Sequence, residues 1–155
     1  MIQIIDQFYE AFARKDAESM VLLYHDEIVF EDPAFGVLHG NRAKNMWRML
    51  CLNAQDLTIQ HSDVQSMDDS TGSAHWEVKY TFRQTGRKVC NSIDAHFVFQ
   101  DGKIIRHIDH FDLHKWARQA IGWKGYLLGG TSFFKKKLNT QTNRLLSKFE
   151  SNLPG

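Results

Sequence analysis

Residues 73–113 read SAHWEVKYTFRQTGRKVCNSIDAHFVFQDGKIIRHIDHFDL, and this stretch decides the fold. Apolar and polar side chains alternate along it with a period of two, which is typical of strands that bury one face. Thr85-Gly86 and Asp101-Gly102 interrupt the alternation and have the composition of hairpin turns. The stretch therefore predicts an antiparallel meander. Its strands are expected at 73–84, 87–99 and 103–113, preceded by a first strand of the same meander at 57–67, where the period of two begins.

The alternation also assigns the two faces of the meander. On the last strand it puts His107 and Asp109 on the apolar face, where packing favours hydrophobic side chains. Two ionisable groups at such positions predict either a chemical site or a buried network of hydrogen bonds. On the other two strands, the apolar face consists of Trp76, Val78, Tyr80, Phe82, Ile93, Ala95, Phe97 and Phe99.

The segment before the meander favours helices, because its apolar residues recur at helical spacing. Helices followed by a long sheet predict an α+β fold, in which three N-terminal helices cover one face of a curved, cone-shaped antiparallel sheet. Asp16 is suited to cap the second helix, which we expect to run through Tyr24. The predicted elements are helices at 2–13, 17–24 and 41–52 and strands at 28–33 and 57–67.

The segment 123–155 differs from the rest of the chain. Residues 124–155 carry six Lys and Arg against one acidic residue, whereas residues 1–123 carry 13 against 17. Ser132 can cap an amphipathic helix, and we expect its apolar stripe to dock on the acidic body or a partner subunit rather than an anionic membrane. The chain is therefore divided into a domain at 1–122 and a basic extension at 123–155. The stripe consists of Phe134, Leu138, Leu145 and Phe149.

Several classes of function are disfavoured by the sequence. One short basic cluster without a recognition motif predicts no nucleic-acid partner. The spacing of Cys51 and Cys90 matches neither a metal site nor a redox pair. The histidines His75, His96 and His110 lie on the outer face, opposite His107, so they cannot bind one ion together with it. We therefore expect neither a metal nor a cofactor. The sequence shows neither a signal-peptide pattern nor an apolar run of about 20 residues, which predicts a cytoplasmic protein.

The order of six short motifs resembles the nuclear transport factor 2-like superfamily over about residues 1–117. This superfamily includes ketosteroid isomerase, limonene epoxide hydrolase and the SnoaL-type polyketide cyclases. The resemblance implies a cone-shaped α+β barrel around an apolar pocket, and a homodimer formed through the outer sheet face. The motifs are Phe8-Tyr9-Glu10-Ala11-Phe12, Leu23-Tyr24-His25-Asp26, Phe30-Glu31-Asp32-Pro33, His39-Gly40, Asp101-Gly102-Lys103-Ile104 and His107-Ile108-Asp109-His110-Phe111.

The resemblance also implies which chemistry is retained. Asp32 matches the catalytic base of ketosteroid isomerase, but Phe8 and Ala95 replace the two donors that hold its enolate oxygen. The Asp-Arg-Asp set of limonene epoxide hydrolase is incomplete, since Ala95 and Phe97 supply neither the arginine nor its acid. Asp109 matches the last-strand acid of the SnoaL-type cyclases. Isomerase or cyclase proton transfer is therefore favoured over epoxide hydrolysis.

Two hypotheses follow for the function. In the first, the protein is an enzyme acting on a small lipophilic carbonyl or polyketide-like compound, with Asp109, His107 and Asp32 as catalytic residues. In the second, it is a non-catalytic binder or dimeric scaffold that holds a hydrophobic ligand in the same cavity. Both predict a pocket walled by Phe8, Phe12, Tyr24, Trp47, Trp76, Tyr80, Phe97 and Phe111.

Overall fold

The computed structural model describes residues 1–154 and contains a six-stranded sheet that curves without closing, with helices packed on it. The α+β fold class predicted from the sequence is confirmed. The helices are α1 (Ile2–Ala13), α2 (Ala17–Leu22), α3 (Gly40–Asn53), α4 (Leu113–Ile121), α5 (Trp123–Leu128) and α6 (Ser132–Ser151). The strands are β1 (Tyr24–Asp32), β2 (Gly36–His39), β3 (Thr58–Ser66), β4 (Thr71–Phe82), β5 (Arg87–Gln100) and β6 (Lys103–His110).

The strand order is β2-β1-β6-β5-β4-β3. Strands β3 to β6 form the antiparallel meander that the alternation predicts. Strand β1 instead pairs parallel to β6, with Phe30 opposite His107. Hairpin turns report only on consecutive strands, so this long-range pairing has no local signal.

Four differences from the sequence prediction change an element or its cap, while the other boundaries shift by at most two residues. Helix α2 ends at Leu22, and Tyr24 begins β1 instead of ending the helix. The segment 36–39, expected to be a loop, forms the short edge strand β2. The last strand ends at His110 rather than at 113, because Asp112 caps a helix that the prediction missed. Thr131, not Ser132, caps α6 by accepting the backbone N–H of Phe134.

The main core lies between α1, α3 and the inner face of the sheet. The side chains of Ile5, Phe8, Tyr9 and Phe12 on α1 are buried against this face. The alternation along β5 matches the prediction, since Ile93, Ala95 and Phe97 are buried while Ser92, Asp94 and His96 are exposed. The pleat therefore fixes which side chains of β5 face inward, together with His107 and Asp109 of β6. At the start of β6 a register shift against β5 interrupts the alternation and buries Ile104.

The C-terminal helices pack on this core. Helix α5 lies so close to α4 that a Cβ at Gly125 would come within 2.0 Å of the Ala117 carbonyl oxygen, which excludes every other residue there. Helix α6 inserts Leu146, fully buried, into the main core. Arg42 of α3 also forms an ion pair with Glu150 of α6.

The polar side of α6 is attached to the turn after β1. Asn139 Nδ2 donates to the carbonyl oxygens of Pro33 and Ala34, and Asn143 Nδ2 donates to that of Phe35. These bonds satisfy turn carbonyls that have no strand partner. Helix α6 is thereby held across the open side of the sheet.

Candidate functional site

A cavity of about 1240 Å³ opens between the inner face of the sheet, α3 and α6. Its wall is mainly aromatic and aliphatic, as expected of a site for a lipophilic ligand. Three carboxylates belong to this wall: Asp32 at the end of β1, Asp109 on β6, and Asp56, which is paired with Lys88. Asp32 and Asp109 are the groups in the cavity best suited to proton transfer.

His107 and Asp109 form a buried pair at the back of the cavity. They lie two residues apart on β6, so the pleat points both side chains inward. His107 Nε2 lies 3.0 Å from Asp109 Oδ1, and Trp76 Nε1 donates to the same oxygen at 3.3 Å. His107 is fully buried and Asp109 is 3% exposed.

A tyrosine and a tryptophan extend this pair into the core. Tyr24 Oη lies 2.7 Å from His107 Nδ1, and Trp47 Nε1 donates to Tyr24 Oη at 2.8 Å. The parallel pairing of β1 with β6 brings Tyr24 beside His107, although 83 positions separate them along the chain. We call the five linked side chains the polar chain. It consists of Trp47, Tyr24, His107, Asp109 and Trp76.

Counting donors assigns the protons of the polar chain. An indole nitrogen can only donate, so Trp47 donates to Tyr24, whose own proton then goes to His107 Nδ1. The His107 proton is left on Nε2, from which it donates to Asp109. Asp109 Oδ1 accepts the bonds from His107 and Trp76, so every hydrogen donated within the polar chain has an acceptor.

Burial keeps the Tyr24 hydroxyl protonated. It raises the pKa of Tyr24 well above its usual range, and the charge of Asp109 raises it further, while the Trp47 bond opposes the shift. Tyr24 therefore stays protonated and acts as a positioning group. The second oxygen of Asp109, Oδ2, has no donor among the residues that the structure describes, so it is available to a ligand.

Asp32 is the last residue of β1, and its side chain reaches into the turn before β2. Its Oδ1 accepts the backbone N–H groups of Ala34 at 3.0 Å and Phe35 at 2.6 Å, so the side chain shapes the turn. Burial raises the pKa of Asp32 to about 7, the charge of Asp109 adds to the shift, and the two backbone bonds oppose it. Near neutral pH this group can donate or accept a proton.

The structure divides the residues that the sequence placed in the pocket. Five line the cavity: Phe12, Trp47, Trp76, Tyr80 and Phe111. The other three, Phe8, Tyr24 and Phe97, are buried behind the wall and surround His107, which also does not line the cavity. The Tyr24 hydroxyl is used within the polar chain and does not replace the donor missing at Phe8.

Sequence reasoning missed the contribution of the C-terminal helices to the cavity wall. Trp116 of α4 lines the cavity and donates to Tyr80 Oη at 2.7 Å. Helix α6 contributes one whole side, and the apolar stripe at helical spacing was the signal that could have identified it. The α6 lining residues are Phe133, Phe134, Lys137, Leu138, Gln141, Thr142, Leu145, Lys148 and Phe149.

Two other classes of site find no support in residues 1–154. No group of three His, Cys, Asp or Glu side chains is arranged to hold a metal ion there. Within the same residues, no helix combines the length and apolar character needed to cross a membrane.

Comparisons with known proteins place the chain in a structural context. A family model described as the SnoaL-like domain matches residues 5–107. A search of curated protein sequences finds no significant match.

Solved structures of several proteins share the fold. An NTF2-like protein of unknown function from Burkholderia pseudomallei is 17% identical, with a TM-score of 0.65 over 76% of this chain and 94% of that one. A candidate polyketide cyclase from Xanthomonas campestris pv. campestris is 20% identical, with a TM-score of 0.62 over 76% and 93%. An LEH-like epoxide hydrolase from M. tuberculosis is 18% identical, with a TM-score of 0.61 over 83% and 90%. At these identities the likeness establishes the fold alone.

Proposed function

Because the chain belongs to the SnoaL-like domain family, we propose that it is an enzyme that moves protons on a small lipophilic carbonyl compound. The reaction is of the isomerase or cyclase type. The observation that carries the proposal is the pairing of two unlike carboxylates on one apolar cavity wall. Asp109 accepts bonds from His107 and Trp76 on Oδ1 and leaves Oδ2 to the cavity, whereas the pKa of Asp32 is raised to about 7.

The two carboxylates take complementary roles in this mechanism. Asp109 Oδ2 removes a proton from the carbon beside the carbonyl, and the electrons of the broken C–H bond move toward the carbonyl oxygen. Protonated Asp32 donates its proton to that oxygen, which yields an enol. In an isomerisation, Asp109 returns its proton to another carbon of a conjugated enol while Asp32 takes back the hydroxyl proton. In a cyclisation, the enol carbon attacks a second carbonyl carbon, Asp32 takes back the enol hydroxyl proton, and Asp109 donates its proton to the new alkoxide oxygen.

The polar chain supports this role of Asp109. When Asp109 takes up a proton, the bonds from His107 and Trp76 still fix the carboxyl group, so its position does not change during the reaction. Epoxide hydrolysis receives less support, because the inner positions Ala95 and Phe97 provide no arginine to bridge two acids.

Proton exchange tests the proposal without knowledge of the substrate. We expect the protein to catalyse deuterium incorporation at the α-carbon of cyclic ketones such as 1-tetralone in D₂O, measured by ¹H NMR. Asp109→Asn and Asp32→Asn should each slow the exchange by about 10²- to 10⁴-fold, the usual contribution of a general acid or base. The wild-type rate should fall as pH rises through about 7, where Asp32 loses its proton.

The controls separate catalysis from binding. Asp94→Asn changes a carboxylate on the outer face and should leave the exchange rate unchanged. Ligand-detected NMR measures ketone binding by every variant. A wild-type protein that binds the ketones without exchange would contradict the enzyme proposal and favour a non-catalytic binder.

We further propose a homodimer formed through the outer sheet face, in the cytoplasm. The outer face supports this with hydrogen-bonding side chains such as His75, His96 and His110. The free thiols of Cys51 and Cys90 are consistent with a reducing compartment. Sedimentation velocity should give twice the 18.0 kDa mass of the chain, and a purely monomeric sample would contradict the dimer.

A further inference from the structure

The opening of the cavity is surrounded by exposed apolar side chains and lysines. We define the rim as the exposed apolar residues and lysines of α3, α5 and α6 that also line the cavity. Its four apolar members are between 49% and 74% exposed, a large apolar exposure for side chains grouped at one opening. The rim consists of Leu52, Leu128, Phe133 and Leu145 with Lys124, Lys137 and Lys148.

Helix α5 extends this apolar surface beyond the rim. Trp123 and Leu127 are 70% and 62% exposed and adjoin rim residues in the sequence. The Lys124 ammonium lies 5.9 Å from the centre of the Trp123 ring. An exposed tryptophan beside a lysine suits the boundary between water and lipid, where the ring enters the headgroup region and the ammonium stays hydrated.

The charge around the opening has one dominant sign. Residues 113–149 contain eight Lys and Arg and no Asp or Glu. Of the acidic groups on the cavity wall, Asp32 and Asp109 belong to the candidate site, and Asp56 is paired with Lys88 at 3.2 Å. Lysines on an otherwise apolar surface complement a surface that is negatively charged and has an apolar interior.

We propose that the rim docks on the surface of an anionic lipid bilayer, with the cavity opening toward the lipid. A lipophilic ligand could then pass from the bilayer to the cavity without crossing water. This consequence rests on the proposed lipophilic substrate, whereas the docking itself depends only on the rim. Binding to vesicles therefore tests the docking even if the protein has no enzymatic activity.

Vesicle sedimentation measures the docking directly. We expect the intact chain to bind phosphatidylcholine vesicles that contain roughly 30% phosphatidylserine, and to bind pure phosphatidylcholine vesicles much more weakly. The double variant Lys137→Gln/Lys148→Gln should bind the anionic vesicles about 30-fold more weakly, at about fivefold per lysine. The matched control Lys79→Gln/Lys103→Gln removes two exposed lysines elsewhere and should bind like the wild type.

Trp123 provides a second readout. It is the exposed tryptophan, whereas Trp47, Trp76 and Trp116 are buried. Anionic vesicles should shift the tryptophan emission to shorter wavelength, and brominated lipids should quench it. Trp123→Phe should retain vesicle binding and lose both signals, which separates insertion at α5 from attachment through another surface.

Several outcomes would overturn the proposal. They are no binding to anionic vesicles, equal binding to neutral ones, and unchanged binding by the Lys137→Gln/Lys148→Gln variant. The Trp123 emission could also lie at short wavelength without lipid and move to longer wavelength when the protein is diluted. That result would show that the rim contacts a second copy of the chain instead of lipid. Circular dichroism of each variant verifies that it is folded.

Discussion

The sheet carries two histidine–aspartate pairs with similar geometry and opposite surroundings. On the inner face, His107 Nε2 lies 3.0 Å from Asp109 Oδ1, and the side chains are 0% and 3% exposed. On the outer face, His75 Nδ1 lies 2.8 Å from Asp94 Oδ1, and the side chains are 29% and 72% exposed. Each histidine also contacts a hydroxyl through its other ring nitrogen.

The comparison shows that burial, more than distance, decides what such a pair contributes. Around the outer pair, water and salt compete for both partners, so the pair contributes at most about 1 kcal/mol. Around His107, any partner that is lost leaves a polar atom without water or a replacement. Ser92, His75 and Asp94 are linked as in a serine hydrolase triad, but the exposed sheet face lacks the enclosure that such chemistry requires.

Replacing the histidine of each pair by alanine should give the largest difference in the free energy of unfolding between the two faces. We expect His107→Ala to lower the free energy of unfolding by about 3–5 kcal/mol, because it leaves Asp109 and Tyr24 buried without a partner and creates a cavity. His75→Ala should cost less than about 1 kcal/mol. Urea unfolding measures both values. Equal losses would show that burial does not distinguish the pairs.

Two buried tyrosines, Tyr24 and Tyr9, test whether the loss of a hydroxyl is costly only where that hydroxyl has hydrogen-bond partners. Tyr24→Phe should cost about 1–3 kcal/mol, because Trp47 Nε1 and His107 Nδ1 both lose their partner. Tyr9 is fully buried too, but among residues 1–154 its hydroxyl has no hydrogen-bond partner. Tyr9→Phe should therefore leave the free energy of unfolding unchanged or raise it. A loss as large as that of Tyr24→Phe would contradict this difference.

The pH dependence of stability tests the desolvation of Asp32. Burial raises its pKa to about 7 in the folded protein, so between about pH 4 and 7 the folded state binds more protons than the unfolded state. Stability contributed by the neutral form is present below about pH 4 and is lost as pH rises through 7. Relative to Asp32→Asn, which stays neutral, the wild type should lose at most about 1.4 kcal/mol per pH unit in this window. Parallel pH profiles of the two proteins would contradict the desolvation of Asp32.

Much of the fold could be predicted because its signals are local. The alternation of β4 to β6, the hairpin glycines and the helical spacing of α1 each involve a few neighbouring residues. Errors arose where a local signal was ambiguous, as at Tyr24, where helix and strand are both compatible with the apolar spacing. The cap at Asp112 was a local signal for α4 that the continued alternation through Phe111 obscured.

The sequence by itself determined that His107 and Asp109 point inward, because the pleat of a strand places residues two apart on the same face. It also determined that 123–155 is basic and amphipathic. Only the tertiary structure decided that Tyr24 binds His107, that Asp32 shares a cavity with Asp109 and that α6 forms a side of that cavity. These contacts join segments far apart in the chain, and they depend on how whole elements pack, which no local pattern of residues encodes.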